Sequence, residues 1–197
     1  MRLWTIQPVG VYEKLKSERV LHYDPTESEL LVEVGEVFRP AYDWLVEQMR
    51  VRVAPPPVDV QYPFWAWHTI DWKHKKPDLR LGTFRGYSGA QTCIELEIPD
   101  KDVLLSDEGM WHLVLNDGYY GKAQSDEEYE AEARWFDGLP PQEQLAVNHK
   151  SWEKIFEIDP PINTKWDIRG DFIQATFWEL RLDQVVSVRY FTGRRKR

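Results

Sequence analysis

Apolar positions along this chain follow two periods, and each predicts a different element. Phe38, Tyr42, Leu45, Met49 and Val53 recur at spacings of three and four. That spacing predicts a helix over 38–53 with one apolar stripe, leaving Asp43, Glu47 and Arg50 on its wet side. Ala54-Pro55-Pro56-Pro57 stops it. A two-residue period then takes over in 62–68, placing Trp65, Trp67 and Thr69 on one strand face and Phe64, Ala66 and His68 on the other. Thr92, Ile94, Leu96 and Ile98 alternate with Cys93, Glu95 and Glu97 and predict a second strand. Leu3 to Gln7 reads as an opening strand, with Pro8 suited to the first turn of a short helix carrying Val11, Tyr12 and Leu15.

The remaining pattern is mixed. Asp24 to Ser28 is a turn-like break. Residues 71–91 are polar and contain Gly82, Gly86 and Gly89, which predicts a long loop of the kind that carries function or moves. Ser106-Asp107-Glu108 opens a helix bearing Met110, Trp111, Val114 and Leu115, ended by Gly118. Ser125 and Glu128 form a capping-box pattern for a helix that reaches Phe136. Another begins at Pro140-Pro141 and runs toward Phe156. Strands are expected over 172–180 and 185–191. This order predicts an α+β fold. It is read as one domain over 1–197, with a mixed or antiparallel sheet, flanking helices and a helical insert before the last strands.

Composition changes this picture in one respect. Ten tryptophans, nine tyrosines and eight phenylalanines stand in 197 residues. Aliphatic side chains fill a core with fewer polar atoms to satisfy, so some of these rings are expected to line a pocket or an interface. A net charge of −8 excludes a protein that coats nucleic acid through a general basic excess. It leaves room for local basic patches. One is the tail Gly193-Arg194-Arg195-Lys196-Arg197, read as a frayed terminus. The other is the stretch with Lys73, Lys75, Lys76, Arg80 and Arg85, which sits among Trp65, Trp67, Trp72 and Tyr87. Rings that stack on bases beside cations that meet phosphates are how single strands and nucleotides are held. The glycines of this stretch do not have phosphate-loop spacing. One cysteine, Cys93, permits no internal disulfide, and no run approaches membrane-spanning length. The expectation is a cytoplasmic protein without a membrane partner.

Single residues add little chemistry. His68 and His74 lack the company a zinc site needs. Cys93 with His112 or His149 as base is a nucleophile pattern that nothing in the sequence brings together. Glu179 is the acid that stands out. An extended 172–180 strand puts it on a face with Ile173, Ala175 and Phe177, where a carboxylate must be paired, protonated or at the strand's wet end. Arg181 is taken as facing away from it.

Several segments together resemble the bacterial family catalogued as domain of unknown function 3841. They are Leu3 to Gln7, Ala41 to Met49, Tyr62 to Trp67, Lys76 to Arg80, Glu95 to Asp107 and Ile173 to Leu180. That resemblance covers most of the chain and implies no function. The element order is also similar, more distantly, to small ADP-ribosyltransferase-like domains, which bind NAD as substrate. They open with a strand bearing a polar ligand and close with a strand bearing an acid. That resemblance implies Gln7 at the opening position, where the family has histidine or arginine, and Glu179 as catalytic acid. Tyr62, Trp65 or Trp67 would stack on the cofactor's rings, and Arg80 or Arg85 would meet its phosphates. The leading expectation is therefore a nucleotide-like ligand in an aromatic-lined cleft. The alternatives are a non-enzymatic reader of RNA or modified bases, suggested by Ile6-Gln7-Pro8 before a helix, and a protein-interaction module.

Overall fold

The structure, a computed structural model, describes residues 1–27, 29–159 and 169–194. Six strands form an antiparallel sheet. They are β1 (Arg2–Pro8), β3 (Phe64–Thr69), β4 (Ala90–Glu97), β5 (Leu104–Asp107), β6 (Ile173–Phe177) and β8 (Val185–Thr192), in the order β5-β6-β3-β1-β4-β8. Two short strands, β2 (Val20–His22) and β7 (Glu179–Arg181), pair separately. The helices are α1 (Val9–Glu18), α2 (Glu29–Arg52), α3 (Glu108–Leu115), α4 (Asp126–Asp137) and α5 (Pro141–Trp152). The α+β class is as the sequence order predicts, and α4 and α5 are the helical insert before the last strands.

Alternation along the strands gives the sheet two buried faces. On one, Leu3, Ile94, Leu96, Phe64, Ala66, Ala175 and Phe177 pack with Leu15 of α1, Leu21 of β2 and Leu180 of β7. The opposite face is shared. Trp65 meets Tyr42 and Trp111, which α2 and α3 bring over β3 and the neighbouring strands. Trp4, Ile6, Cys93 and Trp67 are covered instead by Ile70, Leu79, Phe84 and Phe172. Between β3 and β4 the chain therefore lies down on the sheet. Because β3 and β4 both start at the end toward which β1, β6 and β8 run, this segment must travel the sheet's full length to return.

Local sequence explains most boundaries. Pro8 ends β1 and stands at the cap of α1. Arg19 closes α1 in a left-handed conformation. The long helix continues past Pro40, starting nine residues before the predicted Phe38. Ser106-Asp107-Glu108 opens a helix as expected, with Asp107 both ending β5 and capping α3. Its carboxylate accepts from Met110 N at 2.9 Å and Gly170 N at 2.6 Å. Burial is the chief cause pushing its pKa up, against those two donors. Ser125 Oγ accepts from Glu128 N as predicted, but the Glu128 carboxylate returns to Gln124 N rather than to Ser125.

The expected 172–180 strand is broken. At Trp178 the chain leaves the large sheet, and the buried indole donates to Ala54 O at 2.9 Å. Glu179 consequently sits in β7 opposite His22, not on the Ile173 face. Among the described residues, no helix is long and apolar enough to cross a membrane.

Replacing Asp107 with alanine removes the cap of α3 and leaves Gly170 N–H buried without a partner. The expected cost is about 1–3 kcal/mol, read as a lower urea midpoint at unchanged slope.

Candidate functional site

Tyr62, Trp65 and Trp67 lie within packed ring clusters. Tyr62 is buried against Tyr42, with centroids 5.3 Å apart, and its hydroxyl donates to Asp43 at 3.3 Å. Burial first, and then the Asp43 charge, raise its pKa. Trp65 lies 5.1 Å from Trp111, and Trp67 packs edge-on against Phe84 at 5.6 Å and Phe172 at 6.0 Å. Most of the tryptophans follow this pattern. Of those described, only Trp72 and Trp135 are exposed.

Gln7 and Glu179 are both engaged. Gln7 Nε2 donates to Thr5 Oγ1 at 2.8 Å, and that hydroxyl donates to Trp65 O at 2.7 Å. Glu179 Oε1 lies 3.2 Å from His22 Nε2, and Oε2 accepts from Arg181 at 3.2 Å. Arg181 is thus the partner of Glu179. Residues two apart in a strand share a face, so the expectation that it faces away was mistaken. Cys93 is buried, and burial pushes its thiol pKa up despite Arg189 Nη2 at 3.3 Å. His112 pairs with Glu108 and His149 rests on Trp152, so neither stands with Cys93 as base in these contacts. No group of three metal-ligating side chains occurs among the described residues.

The basic residues form the clearest arrangement. Segment 71–89 crosses the sheet face from the Thr69 end to the Ala90 end and carries five cations against two acids, in a chain of net charge −8. Lys75 pairs with Asp71 at 2.7 Å, and Arg80 with Asp78 at 2.6 Å. Arg80's hydrogen bonds are the leading cause that holds the Asp78 carboxyl down at about 2. Lys73 and Lys76 are exposed and meet no carboxylate among the described residues. Arg85 is half-buried, and its Nε is enclosed without a hydrogen-bond partner. Beyond β8 the chain then joins this loop. Gly193 N donates to Gly89 O and Arg194 N to Arg85 O, each at 2.8 Å. Nothing in the sequence joins these two basic segments. Arg195, Lys196 and Arg197 lie outside the described residues, but their sequence continues the positive charge.

Residues 2–186 match the family model described as Domain of unknown function (DUF3841). The chain belongs to the DUF3841 family. No curated protein and no solved structure matches it. The DUF3841 match ends at Val186, so Gly193 and Arg194 lie beyond the matched segment while the 71–89 loop lies within it. A groove of ≈ 640 Å³ lies elsewhere, along α2, lined by Trp44, Asp43, Glu47, Arg50 and His149 among others. His149, weighed from sequence as a base for Cys93, lines it, and Asp43 of its wall also holds Tyr62.

His68 of β3 and His74 of this loop stack 4.2 Å apart, and His74 Nε2 lies 2.7 Å from Arg2 O. Burial, then His74 and the N-terminal charge, push the His68 pKa down to about 4. An unfolded histidine titrates near ~6.5. The folded state therefore favours neutral His68, and this preference destabilises the protein as pH falls from about 6.5 toward about 4. Wild type should lose more melting temperature than His68→Gln across that window. Equal losses in both proteins would refute the assignment.

Proposed function

We propose that this domain binds a nucleotide-like, phosphate-bearing ligand, single-stranded nucleic acid in particular, along the 71–89 loop. The carrying observation is that Gly193 and Arg194 each donate one backbone hydrogen bond to the loop, which brings Arg194 of the second basic segment beside Arg85 of the first. Among the described residues, Lys73, Lys76, Arg85 and Arg194 supply positive charge not already paired with carboxylates. Exposed Trp72 and Tyr87 stand in the same segment. Phosphates attract the cations and rings take the bases, a combination that tolerates sequence variation. Overall negative charge restricts binding to this surface and opposes nonspecific coating of the rest.

The NAD-dependent transferase reading has one observation in its favour. Gln7 and Glu179 lie near the same end of the sheet, because β1 and β6 run in the same direction on either side of β3. Both side chains are occupied, however, and Trp65 and Trp67 are held in packed clusters. Nicotinamide release from NAD that disappears in Glu179→Gln, with folding intact, would support the transferase. The binding-module reading expects no such release from wild type.

Fluorescence polarisation with labelled single strands over a salt series tests the main reading. Each phosphate neutralised on a single strand contributes a slope of about −0.7 in log K against log salt, so four cations give about −3. Lys76→Glu and Arg194→Glu should weaken binding to all sequences alike and reduce the slope by about 0.7 per lost contact. Binding that ignores both salt and these substitutions would refute the proposal.

A further inference from the structure

Segment 71–89 begins with an unusual turn. Ile70 and Lys73 exchange both backbone hydrogen bonds, Ile70 N to Lys73 O at 2.9 Å and Lys73 N to Ile70 O at 3.1 Å. Between them Asp71 has φ +48° and Trp72 φ +63°. Two left-handed central residues inside a reciprocal pair make the tight hairpin turn that favours Asn-Gly or Asp-Gly. Asp71 suits its position. Trp72 stands where glycine is preferred, because in the left-handed region a Cβ crowds the following carbonyl oxygen.

The turn's backbone is anchored, but its second side chain stands partly in solvent. The Trp72 side of the turn is fixed through its backbone, with Trp72 N donating to Asp171 O at 3.0 Å. Trp72 remains 44% exposed. Among the described residues no ring or cation rests against it. Trp135, the other exposed tryptophan, differs on both counts, lying in helical α4 with Tyr119 5.9 Å away. Strain maintained at a site that displays a solvent-facing ring points to a use for the ring.

Position suggests what that use is. Trp72 is at the Thr69 end of the sheet, whereas Arg85 and Arg194 are at the Ala90 end. The eight residues of β4 separate those ends by roughly 24 Å. Lys73 and Lys76 follow the ring directly, and the loop leads from them to the two arginines. Such a span suits an extended strand better than a compact mononucleotide.

We propose that Trp72 is the base-stacking residue of this surface, holding one base of a single strand whose phosphates follow the loop from Lys73 toward Arg85 and Arg194. The proposal rests on the nucleic-acid reading above and names the ring that makes it selective for base-bearing polyanions.

The test compares Trp72→Gly and Trp72→Phe with wild type. Binding is measured by polarisation with labelled oligouridine and oligothymidine of about 12 nucleotides, and stability by thermal melting. Glycine relieves the left-handed backbone, so Trp72→Gly should melt no lower than wild type while binding either oligomer at least about tenfold more weakly. Trp72→Phe, which keeps a stacking face, should retain most of the affinity. If Trp72→Gly binds like wild type while Lys76→Glu and Arg194→Glu weaken binding, the surface stands and the stacking assignment fails. A lower melting temperature in Trp72→Gly would also overturn it, making the ring a structural element. If wild type binds neither oligomer, the nucleic-acid reading falls and takes this proposal with it.

Discussion

The loop surface depends on Trp67 packed between Phe84 and Phe172. Trp67 comes from the middle of the sheet, Phe84 from the loop and Phe172 from the residue before β6. Phe84 is almost completely buried. A polar segment of this length has little apolar area of its own with which to offset its ordering entropy. Pressing Phe84, Leu79 and Ile70 onto the Trp4–Ile6–Cys93 face supplies that area. The same contacts fix where Lys73, Lys76 and Arg85 emerge. The candidate site is therefore a consequence of packing beneath it, although none of its cations belongs to the core.

Aromatic abundance acquires a structural account in this arrangement. One sheet face is covered partly by α2 and α3 and partly by irregular chain, which offers fewer regularly spaced aliphatic positions than a helix. Broad rings bridge such gaps. Tyr42 touches Tyr62, Trp65 and Trp111, linking α2 to β3 and α3. Trp44 lies between Trp152 and Phe156. Several indoles serve as polar anchors as well: Trp152 donates to Gly118 O and Trp178 to Ala54 O, each across a large sequence separation. The expectation that surplus rings line a cleft thus gives way, for most of those described, to rings that join elements. Among the described residues, Trp72 stands apart because it is exposed and its indole has no ring partner.

The long periodic elements were legible in sequence. The Thr92–Ile98 alternation became β4 and the stripe from Phe38 became the second half of α2. Short elements were not, because three residues cannot show a period. Val20–His22 and Glu179–Arg181 exist as strands only through pairing with each other. The break at Trp178 was hidden for a related reason: residues 172–180 have strand character throughout, and the indole's bond to distant Ala54 O turns the chain. At the candidate site, Arg80 and Arg85 could be picked from local charge. Arg194's place beside Arg85 could not, since 109 residues of sequence separation carry no local signal. The Asp71–Trp72 turn left only a faint trace, an aspartate between two strand-like segments, and its glycine-like second position was filled by the least expected residue.

The central claim is that ligand binding follows the loop and not the aromatic core or the α2 groove. Titrating isotope-labelled protein with an unlabelled oligouridine and recording amide and indole NMR shifts tests this most directly. The account predicts changes concentrated in residues 71–89 and at Gly193 and Arg194, with the Trp72 indole among the largest. Changes centred on Trp44, Glu47 and His149, or on Glu179 and His22, with the loop unmoved, would contradict it.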